Sequence, residues 1–355
     1  MKKIILTSIF TALFSVVSFG QTLQRTILSH YNSETHQVTL TQYNLNEWMS
    51  AFDDAVNGDT IYFTSGTFEV PWDNNGNGNN MTIDKVITLI GSGVSYNSAF
   101  FNGIEAESDY SGCYIQGEGT TLNATITISI DGNPTLTSTF MEGVNLQNGN
   151  ISITKPVNNL VIKRSQIRKD SETSAYGGSF STSSDISGLT IENCFIRSFD
   201  GNNLTSAEIR NSWIGEILNL PSGFNVFNCV ITGMTNCTNS NYINCVIQNW
   251  AEYNTYQNCL LSIGDTSNCT INNSCALYHY GVPQNYTQSQ LSDVAEGGWA
   301  QDANWTWLDD VVPGVFTGSA PFTFLPSQPY VSSSSVAYDA STKKLNVNIT
   351  VNKGK

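Results

Sequence analysis

The sequence predicts an all-β chain, a right-handed parallel β-helix with a short N-terminal capping helix, then a C-terminal irregular segment and a β-hairpin. Two observations carry most of this. One short phrase recurs between Leu160 and Ala276, and polarity comes from Asn, Thr, Ser and Gly rather than from charge. The phrase is an apolar residue, a variable residue, Asn, Cys or Ser, a variable residue, then an aliphatic. It reads Ile191-Glu192-Asn193-Cys194-Phe195-Ile196 and Ile209-Arg210-Asn211-Ser212-Trp213-Ile214. It returns at Val226 to Ile231, Tyr242 to Ile247, Tyr256 to Leu261 and Ile271 to Ala276, and an earlier copy, Ile162 to Ile167, has Arg164 in place of Asn.

Side chains alternate faces along a strand. With Ile191 inward, Glu192 points out and Asn193 sits at a bend, where Asn tolerates a left-handed backbone. Beyond the bend Cys194 points in, Phe195 out and Ile196 in. A unit this short cannot bury its own apolar face, so copies must stack. Stacking creates an inner column of Ile162, Ile191, Ile209, Val226, Tyr242, Tyr256 and Ile271, and a second of Ser165, Cys194, Ser212, Cys229, Cys245, Cys259 and Ser274. The corner becomes an Asn ladder. Right-handedness follows from the preference of parallel crossovers.

Residues 1–20 have the pattern of a secretory signal: Lys2 and Lys3, an apolar run from Ile4 to Phe19, and a Ser18-Phe19-Gly20 cleavage site. The expected product is secreted or cell-surface, without a transmembrane segment. Lys+Arg 15 against Asp+Glu 29 gives a net charge of -14, which argues against nucleic acid or an anionic membrane as partner. Most of the eight Cys lie in the phrase, where Ser replaces them freely. A column of buried thiols is the preferred reading. Disulfides between neighbouring coils, Cys229–Cys245 or Cys245–Cys259, are the alternative.

In chain order, Asn44 with Glu47 three residues on has the form of a capping box. Leu45, Trp48, Met49, Phe52, Ala55 and Val56 follow at helical spacing and would plug the open end of the stack. Strands are expected over 60–63, 66–68 and 83–90. In the less regular stretch that follows they are expected over 125–130, 140–146 and 151–153, with a different corner chemistry. The run from Arg168 to Ser184 is expected to project as a loop. The main body therefore occupies 21–280, a segment over 281–330 packs on it, and 331–355 forms a hairpin, with Leu345 to Val351 in strict alternation.

Ala55-Val56-Asn57-Gly58-Asp59-Thr60-Ile61-Tyr62-Phe63 followed by Ser65-Gly66-Thr67-Phe68 resembles the opening coil of the pectin-lyase-like β-helix superfamily. Ile87-Thr88-Leu89-Ile90-Gly91-Ser92-Gly93 resembles its next coil, and Gly314 to Phe322 resembles the segment that ends many exported bacterial β-helix proteins. The resemblance covers roughly residues 45 to 280. It implies the fold and leaves activity open, because that superfamily includes lyases, hydrolases and adhesins.

Three places could carry chemistry. Residues 73–84 match a twelve-residue calcium loop except at the last position, with Asp73, Asn75, Asn77, Asn79 and Asp84 as ligands; the bland alternative is an Asn/Gly-rich surface loop. Arg168, Arg197, Asp170, Asp200 and Glu216 place basic and acidic groups on one flank, the general location that the resemblance implies for a uronate-cleaving lyase or hydrolase. The family's catalytic motifs are missing, and a surface ion ladder of Lys163, Glu192 and Arg210 is the simpler reading. Third, the outward position after the Cys column reads Gln166, Phe195, Trp213, Val230, Val246, Leu260, Cys275. An apolar stripe is either covered by another segment, here residues 280–330, or binds a ligand through Phe195 and Trp213. The expected function is a non-catalytic carbohydrate-binding or adhesin-like protein with a polysaccharide partner. A flat flank of Asn, Thr and aromatic side chains would favour binding; a groove of Arg and carboxylates would favour an enzyme.

Overall fold

The computed structural model describes residues 24–71, 79–95, 118–168, 178–249, 251–262, 268–271, 276–278, 313–315, 321–327, 330–339 and 344–352. Residues 1–20, expected as a secretory signal, lie outside them, as do Asp170, Trp299, Trp305 and Trp307.

Two long sheets dominate, one of twelve strands and one of fourteen. From Thr60–Phe63 onward the strands of the first sheet follow chain order, and those of the second do so from Gly66–Glu69 onward. Along the repeats the chain crosses from one sheet to the other and back, each strand pairing parallel with its counterpart one repeat later. The register is the one the phrase dictates. Ile162, Ile191, Ile209, Val226, Tyr242, Tyr256 and Ile271 face one another in succession. Across the bend Gln166, Phe195, Trp213, Val230, Val246 and Leu260 do the same. The last step departs from the expectation: Leu260 pairs with Ala276, not Cys275, so the two paired positions Ile271 and Ala276 are one residue further apart in the chain than Tyr256 and Leu260.

The bend between the two sheets is built on left-handed residues. Arg164, Asn193, Asn211, Asn228, Asn244 and Asn258 have φ between 47 and 55°. Asn visits this region with little penalty. The corner N–H groups stay paired, since Asn193 N donates to Arg210 O and Asn211 N to Phe227 O, at 3.3 and 3.0 Å. In the earlier repeats Gly143, at φ 71°, takes the same place. A Cβ on Gly91 would stand 2.2 Å from the Gly143 carbonyl oxygen, so this tight approach of two corners requires glycine.

The interior follows from alternation. Cys194, Ser212, Cys229, Cys245 and Cys259 are buried, as are Ile196, Ile214, Ile231 and Ile247 behind them. The thiols at 194, 229, 245 and 259 are free and donate to backbone carbonyls, as from Cys194 Sγ to Glu192 O at 3.3 Å. Two aromatic pairs stack between neighbouring repeats, Phe180 on Phe199 at 5.1 Å and Tyr242 on Tyr256 at 5.3 Å. Phe180 marks a correction. Four residues of the expected projecting loop form a strand, Ser179–Thr182, which pairs with Ile151–Ile153 and with Ser198 and Phe199. Its buried Phe180 pulls it into the wall.

The N-terminal end is closed by more than a helix. Arg25–Asn32 and Gln37–Asn44 form an antiparallel hairpin, which pairs antiparallel with Thr60–Phe63 and so covers that sheet edge. Two short helical turns follow, Leu45–Glu47 and Ser50–Asp54. The expected capping box is absent: Asn44 makes no side-chain cap hydrogen bond. Leu45 and Val56 are exposed, because the helix is too short to keep both ends against the stack. Trp48, Ala51 and Ala55 are buried, and Trp48 packs edge-on against Phe52, Phe63 and Phe68 at 5.8–6.1 Å.

The C-terminal segment returns along the corner. Gly314 N donates to Asn244 O at 2.8 Å, and Asn211 Nδ2 donates to Val315 O at 3.1 Å. Thr323 N donates to Asn193 Oδ1 at 3.2 Å, and Ser327 N to Glu142 Oε1 at 2.9 Å. This strap therefore runs from later repeats toward earlier ones over the Asn ladder. Val315, Phe322, Phe324 and Leu325 are buried, and so are Trp213, Val230, Val246 and Leu260 of the outward stripe. All eight lie outside the main core cluster. The terminal hairpin pairs Tyr330–Asp339 with Lys344–Asn352, longer than the alternating stretch alone suggests.

Candidate functional site

The sequence-derived candidates fare differently. Trp213 is only 2% exposed and Phe195 is half-buried, so the apolar stripe offers no open surface at Trp213; parity aimed these side chains outward, and coverage followed. Arg168 is half-buried and Arg197 and Glu216 are exposed, but among the described residues no ion pair joins either Arg to Asp200 or Glu216. Asp200 instead serves its own turn, where Oδ1 accepts from Asn202 N and Asn219 Nδ2, each at 3.1 Å. Glu216 Oε1 accepts from Thr235 Oγ1 at 3.3 Å. Of the calcium-loop residues, Asp73, Asn75 and Asn77 lie outside the described residues. Asn79 is half-buried and Asp84 exposed. Among the described residues no group of three His, Cys, Asp or Glu is placed to hold a metal ion.

The ion ladder is present and longer than its three sequence members. Glu142, Lys163, Glu192 and Arg210 face one another in register across successive strands. Glu142 and Glu192 are 6% and 5% exposed. Glu192 holds Lys163 at 3.6 Å and accepts from Arg210 Nε at 2.8 Å, while Arg164 reaches Glu142 at 2.9 Å. Arg164 thus departs from the Asn corner to supply a buried carboxylate with its counter-charge. These groups are engaged with one another and with the strap.

A different place has the features of a ligand site. A groove of about 330 Å³ is lined by Asn239, Asn241, Tyr253, Asn254, Thr255, Asn268 and Thr270. Among the described residues, the lining consists of amides, hydroxyls and the aromatic Tyr253. The groove is built from two columns. Asn225, Asn241, Thr255 and Thr270 stand opposite one another on the outer face of the first sheet. Two residues earlier in the chain Gly223, Asn239, Tyr253 and Asn268 form a second corner, linked by Gly223 N to Asn239 O, Asn239 N to Tyr253 O and Tyr253 N to Asn268 O at 2.7–3.0 Å. Gly223 has φ 89° and Asn239 φ 52°, residue types suited to that backbone. Tyr253 has φ 61° and is 55% exposed. A bulky residue held left-handed costs on the order of 1–3 kcal/mol and persists only where its surroundings over-determine it.

Those surroundings are visible. Asn254 is buried, and its Nδ2 donates to Cys237 O, Ala251 O and Glu252 O at 2.8–3.2 Å while its Oδ1 accepts from Ser240 N at 2.9 Å. From inside the stack Tyr256 donates its hydroxyl to Ala251 O at 2.6 Å. Burial pushes the Tyr256 hydroxyl far above its ordinary range, so it remains a donor. The turn bearing Tyr253 is therefore pinned from below, and the exposed ring sits on a rigid support. The sequence carried a signal for one column: the residue three before Asn228, Asn244, Asn258 and Asn273 reads Asn225, Asn241, Thr255, Thr270. The second corner keeps a constant offset too, five residues before the same Asn at Gly223, Asn239, Tyr253 and Asn268, but the Tyr breaks its Gly/Asn pattern.

No family model, no curated protein and no solved structure matches this chain.

Proposed function

We propose that this chain is an exported, right-handed parallel β-helix that binds carbohydrate at the cell surface or outside the cell, as a non-catalytic or adhesin-like scaffold. The alternation of strands between two parallel sheets, with Asn or Gly at the bends, supports the architecture. The groove around Tyr253 carries the functional reading. Amides and hydroxyls offer both donors and acceptors, the complement of sugar hydroxyls. An exposed aromatic on a rigid turn supplies a platform for the apolar face of a sugar ring. Parallel strands present these groups at a fixed rise, so the surface is ordered before any ligand arrives.

The test is incubation of residues 21–355 with a panel of neutral glycans and polyuronates, read for both binding and product release. Binding without release is the expected result. The competing reading, a polysaccharide lyase or glycoside hydrolase acting on acidic polysaccharide, would be established by reproducible release of oligosaccharide that Arg197→Ala abolishes.

A further inference from the structure

We infer that the groove takes an uncharged, linear polysaccharide laid along the stacking direction, with one sugar ring seated at Tyr253, and that it discriminates against uronates; this rests on the carbohydrate-binding reading above. The first argument is repetition. Asn241, Thr255 and Thr270 belong to three successive strands of one parallel sheet. Neighbouring strands lie about 4.8 Å apart, so the groove presents similar polar groups at three levels over about 10 Å. A pyranose unit in a linear chain is of comparable length. Each successive sugar then meets the next level of amide and hydroxyl, which a compact small molecule would not exploit.

The second argument is charge. Among the described residues no cation lines the groove. An acidic group stands at its edge: Glu252 Oε2 accepts from Asn268 Nδ2 at 2.9 Å. The whole chain carries a net charge of -14. A uronate carboxylate brought here would lose water and gain no counter-ion, which disfavours it. A neutral hydroxyl loses water and gains an amide partner; Asn241, for example, spends one N–H on Asn225 Oδ1 at 3.0 Å and keeps its oxygen and second N–H for a ligand.

The third argument is Tyr253 itself. Its corner column otherwise uses Gly223, Asn239 and Asn268. An exposed aromatic in a left-handed conformation gives the turn nothing that Asn would not give, so the ring is retained for what it contacts outside the chain.

The experiment is calorimetric titration of residues 21–355 with neutral linear hexose oligosaccharides of increasing length and with matched oligouronates. Affinity for the neutral series is expected to rise with length and level off near about three units, the span of the groove. The matched uronates are expected to bind at least about tenfold more weakly. Tyr253→Ala and Tyr253→Asn are each expected to lose at least about tenfold. Tyr253→Asn copies the preceding corner, keeps its backbone conformation and preserves the fold, which circular dichroism checks. Preference for uronates that still depends on Tyr253 overturns the uncharged-ligand inference and leaves the carbohydrate-binding reading standing. Affinity independent of length overturns the axial polymer. Binding untouched in a folded Tyr253→Asn protein overturns the groove as its location, and no binding to any glycan overturns both readings.

Discussion

Replacing Asn193 separates two contributions that meet at one corner. Its backbone has φ 55°, and its Oδ1 accepts the buried Thr323 N at 3.2 Å. Asn193→Gly keeps the backbone conformation and removes the acceptor. A buried N–H left without a partner costs about 1–3 kcal/mol. Asn193→Ala removes the acceptor and adds the left-handed penalty of about 1–2 kcal/mol, for a total near 2–5 kcal/mol. Asn228 provides the control. It has φ 50°, and its buried Oδ1 has no hydrogen-bond partner. Asn228→Gly carries the same added freedom of the unfolded chain without losing a strap contact. The difference between the two Gly variants, expected at about 1–3 kcal/mol, therefore isolates the strap. Equilibrium urea unfolding measures it, and limited proteolysis should show cleavage within 313–327 in Asn193→Gly first. Equal losses in the two Gly variants would refute the strap contact as the cause. Equal losses in Asn193→Gly and Asn193→Ala would refute the left-handed constraint.

Further outcomes follow from the same structure. Burial pushes the Cys194 thiol from its ordinary 9.0 up to about 12, so the unfolded chain ionises first. The stability that this thiol contributes is complete below pH 9.0 and is lost as pH rises toward about 12, which a melting series across that window reads. The free thiols at 194, 229, 245 and 259 should resist a maleimide in the folded protein and react once urea unfolds it. Glu142→Ala takes the buried carboxylate away from Arg164, whose side chain is only 13% exposed, and from Ser327 N, and is expected to cost about 3–5 kcal/mol. Glu208→Ala breaks the more exposed pair with Arg210 and should cost under about 1 kcal/mol by the same unfolding assay. Trp48→Ala opens the aromatic plug and is expected to lower stability by about 3–5 kcal/mol, with the N-terminal hairpin the first part to lose hydrogen-exchange protection.

The repeat was legible in the sequence because its determinants are local. The period-two alternation around each corner decides which side chains turn inward. An Asn at the bend marks the left-handed residue without reference to anything distant, so Asn193, Asn211, Asn228, Asn244 and Asn258 could be placed from the phrase alone, and even Arg164 was found by spacing. The ladder of Lys163, Glu192 and Arg210 followed from the same parity. Tertiary structure decided what parity cannot. Trp213 and Val230 are outward by alternation yet buried, and the segment that bonds to the neighbouring corner at Asn211 lies about a hundred positions later in the chain. Glu142 joined the ladder although no phrase marks it, since it is brought there by pairing with Lys163. Tyr253 was invisible because its importance lies in a backbone angle and in the partners of Asn254 and Tyr256 beneath it, which only the folded chain brings together. Alternation is a property of neighbours along the chain; coverage, counter-charge and the support of a strained turn are properties of residues that meet only after it has folded.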